Sequence, residues 1–245
     1  MTKITNVLSV LGLFDDDHHQ LSAKDIAVRL NVSMATAYRY IADLEEAGYL
    51  ERGALGWYAL GAAIVELDWQ VRLHDPLITA AHEVMRSLSE RTGGTVLLAR
   101  VLAGKVVCVD QVEGRHGPRS ASYERGRAMP LYRGATSTVI LANLDDEALA
   151  SRLSQEMDEF RKAGLPTQLA DLKARLESIR QRGIAYTAGA VDKDAMGWAV
   201  AIRGARGLLG SLSVILQRDT SADLSLRVAD PLQCAALRIQ GRLLP

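Results

Sequence analysis

Residues 31–50 read NVSMATAYRYIADLEEAGYL. Ser33 suits the cap of a helix that runs to Ala47, and Gly48 suits its left-handed stop. Ala37, Tyr40, Ile41 and Leu44 recur at the i, i+3, i+4, i+7 spacing of a buried face. Ala35, Tyr38, Arg39 and Ala42 repeat that spacing on the other side and carry no acid. The carboxylates Asp43, Glu45 and Glu46 gather toward the C-terminal half. A helix that only met water would need no such sorting. Small residues admit close approach to another surface, Tyr38 and Arg39 supply hydrogen bonds, and Thr36 adds a hydroxyl.

The neighbours of this helix fit one architecture. Ile4, Val7, Leu8, Leu11 and Phe14 predict a first helix of about ten residues, closed by DDDHH at 15–19. Ser22, with Asp25 three positions on, has the form of a capping box that opens a second helix over 23–30. Asn31 and Val32 make a tight turn. Two short helices joined this way form a helix-turn-helix, whose second helix enters a major groove N-terminus first. After it, Tyr49–Arg52 and Trp57–Leu60 flank a glycine-containing turn. That hairpin is the wing of a winged helix, with Arg52 as its phosphate contact. The DNA-binding set is therefore Ser22, Ser33, Met34, Ala35, Thr36, Tyr38, Arg39 and Arg52. Residues 1–61 hold five basic side chains (Lys3, Lys24, Arg29, Arg39, Arg52) and eight acidic ones, from Asp15 to Glu51. Each module alone gains little from counterion release, so self-association must help.

The whole chain sets broad bounds. It has 245 residues, 48% hydrophobic and 24% charged, with formal net charge +0. No apolar run approaches the roughly 20 residues that cross a bilayer. The N-terminus lacks a basic leader with a small-residue cleavage site. Two cysteines, Cys108 and Cys234, are too few for a disulfide framework, and the expected compartment is the cytoplasm.

The motifs together resemble the IclR family of bacterial transcription regulators. The carrying stretches are LSAKDIAVRLNVSMATAYRYIADLEEAGYLERG with WYALG after it, GRAMPLYRGATSTVILA at 126–142, RGIAY at 182–186 and MGWAVAIRGARGLLGSLSVIL at 196–216. They follow the family's order across nearly the whole chain. The resemblance implies an α+β protein: an N-terminal winged helix-turn-helix over 1–61, a linker helix over 62–76 that contributes to dimerisation, and a GAF/PAS-like effector-binding and oligomerisation domain with an antiparallel sheet over 77–245. Three stretches depart from the family pattern. Ser137, Thr138 and Val139 replace a Gly-Lys-Ala run, TAGAVDKDAMG replaces an acidic signature, and Ala201 and Ile202 replace Pro-Val.

Within the larger domain, Pro76 suits the start of a helix to Arg91, stopped by Gly93 and Gly94. TVLLARVL and KVVCVDQV read as strands joined at Ala103 and Gly104. Helices are expected over 136–142, 145–153, 168–182 and 222–243, and strands over 184–188, 197–203 and 208–216. RGATST at 133–138 enters a helix, whose free N–H groups and dipole suit an anion. The expected effector-binding set is Arg133, Gly134, Ala135, Thr136 and Ser137, with Arg133 placed to pair with a carboxylate. By resemblance Gly197 and Ser213 face it; Ile215 points the same way as Ser213, and Trp198 and Cys108 wall the cavity. The expected effector is a small organic acid that can carry a ring.

Other chemistry is weaker. Cys108 lies in an apolar strand with no histidine indicated beside it, which favours a buried thiol. His18 and His19 match no metal-ligand spacing; His74, His82 and His116 are isolated. Asp192 and Asp194 read as a solvated turn, and Arg115, Arg119, Arg125 and Arg127 as a solvated basic loop. No metal or cofactor is expected. The leading reading is a DNA-binding regulator, mostly of the repressor kind, that reads an inverted repeat in double-stranded DNA as a homodimer or homotetramer under control of its effector. The rival is a small-molecule-binding protein or enzyme whose winged helix serves assembly only.

Overall fold

The computed structural model describes residues 3–102, 105–118, 124–220 and 227–243. The chain divides into two compact units, Met1–Asp75 and Pro76–Pro245.

In the first unit, α1 spans Lys3–Leu8, α2 Ala23–Leu30 and α3 Met34–Glu46. The expected ten-residue first helix is shorter: α1 has six residues, and a 3-10 turn follows at Leu11–Leu13. The Ser9 hydroxyl donates to the Asn6 carbonyl at 2.7 Å, and Gly12 follows; both weaken helix continuation. Ser22 and Asp25 do form the reciprocal capping box of α2. Asn31 ends α2 in the left-handed conformation at φ 54. At the end of α3, Gly48 takes φ 75. The Tyr49 N–H reaches the Leu44 carbonyl at 2.8 Å and the Gly48 N–H reaches that of Glu45 at 3.0 Å, the two bonds of a Schellman stop.

The wing follows as β2 (Leu50–Arg52) and β3 (Trp57–Leu60); with β1 (Leu21–Ser22) they make a three-stranded antiparallel sheet in the order β1-β3-β2. Where the wing returns past the stop of α3, a Cβ on Gly61 would lie 2.3 Å from the Gly48 carbonyl oxygen. Only glycine fits that crossing. Helix α4 (Ala62–His74) falls within this first unit and buries none of its residues. Val65, Leu67, Trp69, Val71 and Leu73 are all exposed along it.

The second unit is built on a six-stranded antiparallel sheet. Its strands are β4 (Thr95–Leu102), β5 (Lys105–Val112), β6 (Ala128–Met129), β7 (Ala185–Ala188), β8 (Ala195–Gly204) and β9 (Gly207–Gln217), in the order β6-β5-β4-β9-β8-β7. On one face, α5 (Pro76–Thr92) and α10 (Ala229–Leu243) bury Met85, Leu88, Leu232 and Ile239 against Leu98, Val200 and Val214. On the other lie α6 (Gly134–Ala142), α7 (Asp146–Gln155), α8 (Met157–Lys162) and α9 (Leu169–Arg182). There Ile140, Leu149, Phe160 and Leu176 close a second core over Ala99 and Ala199. β6 and α8 were not expected from sequence. The last helix begins at Ala229, and the expected start at 222 lies outside the described residues, as do Ala103 and Gly104. Among the described residues no helix is long and apolar enough to cross a membrane.

Candidate DNA-binding and ligand-binding sites

Helix α3 carries the two faces its sequence implies. Ala37, Tyr40, Ile41 and Leu44 are buried. Ala35, Tyr38, Arg39 and Ala42 are exposed, as are Ser33 and Met34. The Ser33 hydroxyl accepts the Thr36 N–H at 3.2 Å and lies 3.0 Å from the Thr36 hydroxyl. This cap leaves the remaining first-turn N–H groups pointing outward, where the helix field favours an anion. Arg39 sits 5.7 Å from the centre of the Tyr40 ring, a cation–π approach that steadies the guanidinium on the outer surface. Arg52 is exposed on the wing strand β2, opposite Tyr58.

Ser22 has a different job from its neighbours. Its hydroxyl donates to the Asp25 carboxylate at 2.6 Å and accepts the Asp25 N–H at 3.2 Å. Those two bonds commit it to the cap of α2. The Ser22 N–H also donates to the Asp25 carboxylate at 2.9 Å; the hydroxyl bond first, and this one next, hold the Asp25 carboxyl below its usual range.

In the second unit, Gly134 opens α6 at φ 75, and a cavity of about 30 Å³ lies at this first turn. Gly134, Ala135 and Thr136 line it, with Gly197 and Ile215 across from them. Thr136 and Ser213, both buried, bond through their hydroxyls at 2.9 Å, and Ser211 donates to the Thr136 carbonyl at 3.0 Å. These contacts tie the helix start to β9. The structure thus brings together five of the expected lining residues and sets Ser213 directly behind them.

Four expectations fail. Trp198 does not wall the cavity. Strand residues alternate sides, so with Gly197 facing α6 the indole turns to the α5–α10 core. There its ring also meets Tyr186 at 5.0 Å. Nor is the start of α6 an open row of N–H groups: the Thr187 hydroxyl accepts the Ala135 N–H at 3.0 Å. Ser137 is fully buried and does not line the cavity. Arg133 adjoins it from outside, donating to the Ala190 carbonyl at 3.3 Å. Cys108 belongs to a small core with Ala195 and Ile215 rather than to the lining. Its thiol is pushed up to about 12, chiefly by burial and then by the Asp110 charge, so it stays protonated.

Sequence reasoning missed Thr187, Ala190, Val191, Asp192, Ala195 and Met196, which complete the cavity. They lie in and beside the 189–194 turn, and only the pairing of β7 with β8 aims it at α6. Of the basic loop, Arg125 donates to the Val109 carbonyl at 3.2 Å, while Arg119 lies outside the described residues.

A winged helix-turn-helix followed by a domain built on an antiparallel sensor-type sheet is the architecture of a transcription regulator. Family models agree: "Bacterial transcriptional regulator IclR C-terminal" matches residues 71–239, and "IclR helix-turn-helix domain" matches 4–54. The chain belongs to the IclR family of bacterial transcriptional regulators. It is 27% identical to the HTH-type transcriptional regulator KdgR of Dickeya chrysanthemi over 186 residues, which cover 74% of this chain and 60% of that one. It is 22% identical to the transcriptional repressor IclR of Escherichia coli (strain K12) over 187 residues, 75% of this chain and 68% of the other. Among solved structures, an IclR homolog from Microbacterium hydrocarbonoxydans complexed with 4-hydroxybenzoate superposes with a TM-score of 0.78 at 21% identity, covering 99% of each chain. The named relatives are transcriptional regulators.

Proposed function

We propose that the protein is a repressor that binds an inverted-repeat operator in double-stranded DNA as a homodimer or homotetramer and responds to a small organic acid. The observation that carries this reading is the outer face of α3: small residues, Tyr38 and Arg39 in the open, on a helix whose other side anchors a packed core. Ala35, Thr36, Tyr38 and Arg39 face the base edges, while Ser33, Met34 and Arg52 position the module on the backbone and Ser22 serves by capping α2. Residues 1–61 act as the DNA-binding domain, 62–76 as linker and 77–245 as the effector and oligomerisation domain. The exposed apolar side chains of α4, from Val65 to Leu73, supply a surface for self-association. That association offsets the acidic balance of the single module. The repressor role is supported by the name of the Escherichia coli relative, and the site of action is the cytoplasm.

The effector site lies at the first turn of α6, with Arg133 beside it. The cavity as it stands, about 30 Å³, holds two or three water-sized groups, since each needs about 10–15 Å³ of such space. An acid enters by parting Arg133 from the Ala190 carbonyl and shifting α6 against β8 and β9. The homolog holding 4-hydroxybenzoate supports an aromatic acid as one ligand type.

Electrophoretic mobility shift of the full-length protein on its own upstream DNA tests this reading. An Arg39→Ala, Tyr38→Ala variant should lose about 2–6 kcal/mol of specific binding at matched salt, counting about 1–3 for each base contact. Retained affinity in that variant would remove α3 from the interface.

A further inference from the structure

A second opening lies on the outer side of the same helix start. It is a cleft of about 620 Å³ between the beginning of α6, helices α8 and α9, and strand β7. That volume falls in the range of about 300–1,000 Å³ that takes small organic ligands. Its charged lining is unbalanced. Arg133, Lys162 and Arg175 face one carboxylate, Glu159, so three positive groups less one negative leave a formal surplus of two. Glu159 is itself held by Lys162 at 2.6 Å. Tyr132 supplies an aromatic wall of the cleft. The Tyr132 ring is braced against Phe160 at 5.6 Å. Burial, then the Glu159 and Glu156 charges, raise its hydroxyl above the usual phenol range, so it remains a hydrogen-bond donor.

The inner cavity differs in lining and size. Its charged lining residue among those described is Asp192, and its volume is some twentyfold smaller by the same measure. The two spaces nevertheless share Gly134, Thr187 and Ala190 as a common wall. Charge and size therefore separate them, although one helix start serves both.

We infer that this outer cleft is a second ligand site, specific for a small organic dianion such as a dicarboxylate, held by Arg175 and Lys162 and flanked by Tyr132. It goes beyond the effector site proposed above, because it can fill while the inner cavity stays empty. A ligand there presses on Gly134 and Thr187, so the two sites are coupled through the first turn of α6. By linkage each ligand then changes the other's affinity by the same factor.

The test is isothermal titration calorimetry of the full-length protein at fixed ionic strength. The probes are succinate and terephthalate, their monoanionic counterparts butyrate and benzoate, and inorganic phosphate. The dicarboxylates should bind at least about tenfold more tightly than the monoanions, a difference of about 1.4 kcal/mol. A Lys162→Met, Arg175→Met double variant should lose that preference. Both side chains are exposed, so the fold is not at stake. Gly197→Ala places its new methyl in the inner cavity, 3.7 Å from Ala135 Cβ and 3.9 Å from Thr187 Oγ1, both ordinary contacts. That variant should keep dicarboxylate binding within about twofold. Equal binding of mono- and dicarboxylates, or of phosphate and dicarboxylates, would overturn the dianion assignment. An unchanged titration in the double variant would remove Lys162 and Arg175 from any site. Equal weakening by Gly197→Ala would merge the two spaces and refute a second site. None of these outcomes alters the mobility-shift result, so failure of the cleft is distinguishable from failure of the regulator reading.

Discussion

Helices α3 and α6 lie at the centres of the two proposed binding regions, and they solve opposite packing problems. Helix α3 buries one stripe and leaves the other bare. Helix α6 is buried nearly all round: Gly134 to Ser137 and Val139 to Ala142 are all enclosed. A half-buried helix writes its packing into a 3.6-residue period, and whatever is left over marks the surface on offer. A fully enclosed helix has no such remainder. Its sequence, GATSTVILA, shows that it is interior but not which residues border an opening.

The largest test of this contrast is Ile140→Ala in α6. Ile140 is fully buried in the core beneath the sheet. The change should cost about 2–5 kcal/mol, the range for deleting a buried aliphatic side chain. Urea unfolding with intrinsic fluorescence would measure it. A cost below about 1 kcal/mol would mean that α6 is not the enclosed element described here.

A sharper comparison places one substitution at matched positions. Ala35 and Ala135 are each the second residue of their helix. Ala35 is exposed, whereas Ala135 is 4% exposed beside Gly197 and Thr187. Ala135→Leu should overpack the α6–β8 contact and cost about 1–3 kcal/mol. Ala35→Leu should leave stability within about 0.5 kcal/mol and act on DNA affinity instead. Thermal unfolding of both variants reads the first effect, and mobility shift the second.

The same contrast explains what could be read beforehand. The capping box of Ser22, the stop at Gly48, both faces of α3 and the wing were legible because each rests on residues within a few positions of one another. So were strands β4, β5, β8 and β9. Trp198 was misplaced because β8 is buried on both faces: Met196 and Val200 join one core, Ala195 and Ala199 others. Without a polar face there is no alternation to read. The outer cleft was illegible for another reason. Lys162 and Arg175 sit on separate helices, α8 and α9, and each alone is an ordinary surface side chain.

The smallest effect concerns the start of α2, where local sequence and structure agree most closely. Ser22→Ala removes the hydroxyl that receives the Asp25 N–H and donates to the Asp25 carboxylate. The expected cost near neutral pH is about 1 kcal/mol, within the usual span for a lost N-cap. Its pH dependence has a definite sign. Asp25 is held below its ordinary range in the folded chain, first by the Ser22 hydroxyl and then by the Ser22 N–H. The folded state therefore favours the charged carboxylate, and that contribution is complete above the unfolded carboxyl value of about 4. It fades as pH falls through the lower folded value. The penalty of Ser22→Ala should thus be flat from about pH 6 to 7 and shrink below about pH 4. What survives in acid is the part owed to the capped Asp25 N–H. A penalty that grew on acidification, read by urea unfolding at matched ionic strength, would contradict the reciprocal cap.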